Sequence, residues 1–180
     1  MIKLILIIFL SFFAYNAFSD QNSPKLDSLF KKLYESDDIT LQNQIVGEIW
    51  IEWMKIDNSD AQIIMDNIPN YFKSQKYNEA ISALSFVIEL EPNFSEAYNK
   101  RATFYFIMGE YEKSIKDIKI TLTLEPRHFG ALDGLSRILI SYGNYNQAMQ
   151  VFNKMKQLMP NDVTLDMKID RLNSLIYDDA

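Results

Sequence analysis

One histidine, His128, and no cysteine make up the chain's whole stock of side chains that titrate near neutrality or ligate as thiolates. Without cysteine there is no thiolate nucleophile, no disulfide scaffold, no iron–sulfur cluster and no zinc–thiolate site. A lone imidazole leaves at most one general base and too few ligands for a multi-histidine metal site. Near His128 in sequence only Asp133 and Ser136 are available to serve as orienting acid and nucleophile, and no nucleophile motif surrounds them. His128 closes the turn Glu125-Pro126-Arg127-His128-Phe129, so its expected work is a hydrogen bond at the start of the helix that follows. The net charge of −6 disfavours nucleic acid, whose phosphates need a basic surface. These residues predict no enzyme, no cofactor, no metal and no small-molecule substrate.

The elements that hold these residues follow from a repeat. Pro92, Pro126 and Pro160 stand 34 residues apart, each just after an apolar helical stretch. Tyr77, Tyr111 and Tyr145 recur at the same interval, as do Ala80, Ser114 and Ala148. So do Leu84, Ile118 and Phe152, and Val87, Thr121 and Met155. Gly109 and Gly143 share a further register, with Gln75 in the first copy. The copies are 61–94, 95–128 and 129–162, each predicted to be two helices. Glycine closes the first helix because it accepts the left-handed conformation of a C-terminal cap. The second ends before its proline, which disfavours helix in the preceding residue. Small Ala80, Ser114 and Ala148 let the two helices approach, and Leu84, Ile118 and Phe152 fill the groove beside them. Pro69 falls inside the first helix of copy one and should kink it. Arg101 and Asp117 occur together in copy two, while copies one and three lack both (Asn67 and Ala83, Leu135 and Val151). That co-occurrence predicts an ion pair within the repeat.

This pattern resembles the tetratricopeptide repeat over residues 61–162. Copy two carries Tyr98, Ala102, Tyr105, Ser114, Ile118, Thr121 and Pro126 at the family's signature places, and copy three Leu132, Leu135, Ala148, Phe152 and Pro160. Residues 97–118 and 124–135 also resemble a group of small exported bacterial proteins built on this repeat. The resemblance implies an all-α, right-handed α-solenoid whose first helices line a concave groove for a peptide or protein segment. By register the lining positions are Gln62, Met65, Phe72 and Lys73, then Glu96, Asn99, Thr103, Phe106 and Ile107, then Gly130, Asp133, Arg137, Ile140 and Ser141. Among these, Asn99, Thr103, Phe106, Ile107, Asp133, Arg137 and Ile140 are the expected protein-binding set, offering apolar contact with a few directed hydrogen bonds. Some relatives clamp a C-terminal carboxylate with Lys and Asn. Here only Asn99 matches that clamp, with Met65, Pro69, Gly130 and Gly134 at its other places, so no such clamp is expected.

The ends carry separate signals. Lys3, the apolar run Leu4 to Ala14 and Ala17-Phe18-Ser19 have the order of a secretory signal, with cleavage expected after Ser19. Its apolar run is shorter than a bilayer span needs. Losing Lys3 makes the mature chain one unit more acidic, and a periplasmic or secreted protein with no membrane span follows. An uncleaved leader would instead tether an envelope-assembly subunit. Residues 20–60 form a degenerate N-terminal helical pair with Val46, Trp50 and Trp53 in the register of the later second helices. It is expected to cover one end of the stack, and its outer surface would serve a self-associating array. Residues 163–180 read as a C-terminal capping helix and tail, with Leu165, Ile169, Leu172 and Ile176 on one face.

Overall fold

The computed structural model describes residues 23–178; the leader therefore lies outside the described residues. These form nine helices and no strand: α1 (Pro24–Glu35), α2 (Ile39–Trp53), α3 (Ser59–Lys73), α4 (Tyr77–Leu90), α5 (Ser95–Ile107), α6 (Tyr111–Leu124), α7 (Phe129–Ser141), α8 (Tyr145–Leu158) and α9 (Val163–Asp178). None of them is long and apolar enough to cross a membrane.

Local chemistry sets the boundaries. Ser23, Asp38 and Asn58 each accept backbone N–H bonds at the start of α1, α2 and α3, filling donors that the helix itself cannot satisfy. Gly109 and Gly143 sit at φ of 75° and 72°, past the ends of α5 and α7. Gln75 takes the same left-handed conformation after α3, at φ 55°, where an L side chain crowds its own backbone. α3 runs on through Pro69 to Lys73, giving up the hydrogen bond that proline cannot donate.

From α3 onward the chain is a helical-repeat solenoid. Consecutive helices pack in order through α9, and α5 also touches α7, which sets first helices side by side. Small residues do what the repeat requires of them: Ser114 is buried and donates to the Ala102 carbonyl at 2.8 Å, drawing α6 onto α5. The predicted ion pair is present, with Arg101 donating to both carboxylate oxygens of Asp117 at 2.7 and 2.8 Å. Its third bond, to Ser85 Oγ at 2.9 Å, reaches back to α4 and ties two repeats together. Such a fork matches carboxylate geometry as a lysine could not.

The N-terminal pair departs from its expected place. Leu26, Leu29, Phe30 and Leu33 of α1 and Ile45, Ile49 and Trp53 of α2 share one core with Phe129, Leu132, Phe152, Met155, Leu165 and Leu172. α1 and α2 therefore fold back on α7, α8 and α9, and only the link residues Met54 and Ile56 join the core of α3–α5. Aromatic complementarity explains the detour. Trp53 stacks on the His128 ring at 4.2 Å, and Trp50 meets Phe129 edge-on at 5.3 Å. Arg127 adds an ion pair to Asp27 at 2.6 Å and lies over the Phe30 ring at 4.5 Å. Asn161 donates to the Ser36 carbonyl at 2.9 Å, pinning the end of α1.

Candidate functional site

Among the described residues no group of three or more His, Asp or Glu side chains is placed to hold a metal. His128 is fully buried. Its Nδ1 accepts the Ala131 N–H at 3.2 Å, the cap expected from sequence, so Nε2 carries the proton and donates to Glu96 Oε2 at 2.9 Å. The same oxygen accepts from the Asn99 amide at 3.0 Å. Glu96 Oε1 receives no well-directed hydrogen bond, although Lys100 Nζ stands 3.0 Å away and balances the charge. Burial alone would raise the Glu96 carboxyl; the His128 and Lys100 contacts outweigh it and hold it below its ordinary value. A substrate has no path to this cluster, because both His128 and Glu96 have no solvent-exposed surface. The cluster locks α5, α7 and the N-terminal pair together.

The groove beside it is open. Phe72, Asn99, Thr103, Phe106, Ile107, Asp133 and Arg137 line one hollow of about 360 Å³ running from α3 across α5 to α7. Phe106, Asp133, Arg137, Ile140, Lys168 and Arg171 line a second, of about 370 Å³, between α7 and α9. The seven residues expected to bind a partner thus fall in two neighbouring hollows that share Phe106, Asp133 and Arg137. Two helical repeats bring them together, since positions four apart on α5 and α7 lie on one face of each helix.

Two other expected groove positions, Met65 and Glu96, are not available. Met65 is buried in the core of α3–α5, and Glu96 turns inward to His128. Gly130 is half-exposed and lines the first hollow, with Trp50 close against its backbone: a β-carbon there would stand 2.7 Å from the indole ring. Trp50 of the N-terminal pair therefore borders the groove at α7, in a place that a side chain at position 130 would contest. Asn99 lines the hollow, but its amide is committed to Glu96.

Charge within the groove is arranged around Asp133. Its two oxygens accept from Arg137 Nε at 2.7 Å and from Lys168 Nζ at 2.5 Å. Burial would raise this carboxyl, but the two cations more than offset it and keep it ionised below its ordinary value. Arg137 remains 60% exposed in its side chain, and its terminal amino groups make no hydrogen bond to a described residue. With Phe106 and Ile107 beside it, the groove offers apolar surface and a forked donor held in place by Asp133, which Lys168 bonds in turn. It holds no nucleophile paired with a base.

Residues 87–116 match a family model described as a tetratricopeptide repeat. A TPR repeat-containing protein of Rhizobium etli is 33% identical over 153 residues, an alignment covering 84% of this chain and 75% of that protein. This chain belongs to the tetratricopeptide-repeat family.

Other members of the family share shorter stretches. An Hsp70-Hsp90 organizing protein of Triticum aestivum is 23% identical over 129 residues, which is 72% of this chain and 21% of that one. Among solved structures, the first tetratricopeptide domain of Spaghetti (RPAP3), bound to the HSP90 peptide SRMEEVD, superposes with a TM-score of 0.62 at 18% identity. It covers 68% of this chain and 99% of its own. The TPR2B domain of yeast Sti1 in complex with pHsp70 gives 0.59 at 17% identity, covering 68% and 100%. At those identities the likeness shows the tetratricopeptide solenoid and nothing finer.

Against that solenoid, sequence reasoning missed the Glu96–His128–Trp53 stack. Its signal in the sequence is weak: the sole histidine ends the second repeat, and Glu96, near the start of that repeat's first helix, stands at a groove-facing register. Only the docking of α2, which brings an indole from far away in sequence, closes the cluster and shuts out water.

Proposed function

We propose that this tetratricopeptide-repeat protein is a non-enzymatic interaction module that holds a segment of another protein in the groove of α5, α7 and α9. The observation that carries this reading is the pair of adjoining hollows with half-buried Phe106 and Ile140 and exposed Ile107 on their walls and Arg137 lining both. Related folds solved with a peptide or chaperone partner support a groove of this kind. An extended or helical segment would seat apolar side chains on α5 and α7 and offer a carbonyl or carboxylate to the free edge of Arg137.

The test replaces Phe106 by alanine together with Arg137→Glu and compares cross-linked capture of partner protein from the native cell fraction. Asn99 is left intact, because losing it would expose Glu96 rather than the groove. Recovery should fall about tenfold, the loss that follows from roughly 1.4 kcal/mol of binding energy. Equal recovery from a variant of unchanged helicity would remove the groove as the binding face.

We further propose that the module works in the cell envelope after export. The charge, apolar run and small-residue site of 1–19 support this reading. Mass spectrometry of the protein as its cell releases it should find a chain starting at Asp20. A retained leader would favour the tethered form.

A further inference from the structure

Cations gather at one end of the groove although the chain as a whole is acidic. Thr103, Arg137 and Arg171 stand 34 residues apart, so α9 carries the groove register one helix beyond the third copy. Arg137 and Arg171 line the second hollow together with Lys168. On α9, Lys168 and Arg171 are three residues apart and share a face. Asp133 is the one carboxylate on that lining, and it bonds Arg137 Nε and Lys168. Arg171 is exposed and makes no hydrogen bond or ion pair to a described residue.

Three cations against one carboxylate leave this hollow positive on a chain of net charge −6. In the first hollow the charged lining is Asp133 and Arg137, which cancel. The other acids of α9 do not offset the surplus: Asp166 is paired with Lys156 at 2.5 Å, and Asp170 does not line the hollow. Like charges this close repel one another, and an arriving anion relieves that repulsion. At physiological salt a charge acts over roughly 8 Å, so a short segment in the hollow meets these cations rather than the distant acids. Between the cations the surface is apolar, with Phe152 and Leu172 buried and Ile140 and Leu175 half-buried. A bare phosphate chain would leave that floor wet, whereas a peptide can set a leucine or phenylalanine between carboxylates and satisfy both surfaces.

We infer that the segment held in this groove is acidic, with side-chain carboxylates on Arg137 and Arg171 and an apolar residue between them on Ile140 and Leu175. The inference rests on the interaction-module reading and adds the partner's chemistry to it. The carboxylates belong to side chains, so no chain end is required.

Fluorescence anisotropy of the protein as its cell makes it, with the peptide Glu-Glu-Leu-Phe-Glu-Glu labelled at its N-terminus and amidated at its C-terminus, tests this. The same peptide with Gln for every Glu is the comparison. The Glu peptide should bind about tenfold more tightly, the worth of hydrogen bonds to a charged group, and the advantage should shrink as salt rises. Arg171→Gln should remove most of that advantage and leave the affinity of the Gln peptide unchanged; as Arg171 is exposed and unpaired, helicity should stay the same. Phe106→Ala should weaken both peptides alike. Equal affinity of the two peptides overturns the acidic partner, and if Phe106→Ala still weakens both, the groove itself survives. Binding of neither peptide overturns it too, while the capture experiment judges the groove independently. An advantage that Arg171→Gln leaves intact overturns the assignment to this hollow. A uridine oligonucleotide that displaces the labelled peptide at lower concentration than the unlabelled Glu peptide does would replace the acidic segment with a nucleic acid.

Discussion

Replacing Trp53 by alanine is expected to destabilise the protein by about 3–5 kcal/mol, the range for emptying a buried aromatic site, and to release α1 and α2 before the repeats unfold. Trp53 is one of the largest fully buried side chains. Its ring lies 4.2 Å from His128 at an interplanar angle of 8°, 4.8 Å from Phe129 and 5.9 Å from Phe30. Ring contacts of this kind add to the area they bury. The Arg127–Asp27 bridge lies at the surface and is of small value there, so the pair would then be held mainly by the apolar packing of Leu26, Leu29, Phe30, Leu33, Ile45 and Ile49, around the space the indole leaves. Hydrogen exchange checks the order of events: amides of α1 and α2 should lose protection while those of α5 and α6 keep it. Gly130→Ala probes the same seat from the opposite side by driving a β-carbon into Trp50, and it should release the same two helices. Uniform loss of protection across all nine helices would show that the pair is an inseparable part of the stack.

Removing Glu96 should be nearly as costly. Glu96→Ala leaves the His128 Nε2–H and the Asn99 amide without their buried acceptor, and about 3–5 kcal/mol is the usual cost of breaking a buried charged pair from one side. Glu96→Gln retains an acceptor and should cost less. The pair also sets an acid limb on stability. The Glu96 carboxyl lies below its ordinary 4.5 in the folded protein, and Asp133 below its ordinary 3.8. Each therefore contributes stability that is complete above the unfolded-state value and is lost as pH falls through the depressed folded value. Urea midpoints should be level above about pH 5 and drop below it. Glu96→Gln should flatten much of that drop. A variant whose acid limb matches the parent's would separate Glu96 from the acid sensitivity.

The repeat was legible because its rules are local. A proline that ends α4, α6 and α8, a glycine that takes left-handed φ after α5 and α7, and small residues where helices approach act within a few residues of themselves. The Arg101–Asp117 pair could be inferred for the same reason, as both members lie in one copy. Gln75 shows the limit of this logic: the fold holds it in the glycine conformation although its residue type gives no sign of it.

The groove set was read by register and found together in space, yet its boundaries were not legible. Met65 and Glu96 occupy positions that face a groove in an idealised repeat, and the core and the His128 contact claim them instead. Helix spacing says which face a residue shares, whereas only packing says what lies against that face.

By itself, then, the sequence determined the helices, the 34-residue stacking, the capping turn at His128 and the poverty of catalytic groups. Each of these depends on backbone stereochemistry and side-chain period along one stretch of chain. The tertiary structure alone decided that α1 and α2 dock on α7–α9 and that His128 joins Glu96 beneath Trp53. The physical reason is that aromatic stacking and apolar burial carry no direction along the sequence: the indoles of α2 meet His128 and Phe129 from far away in the chain, and only packing shows which apolar face receives them.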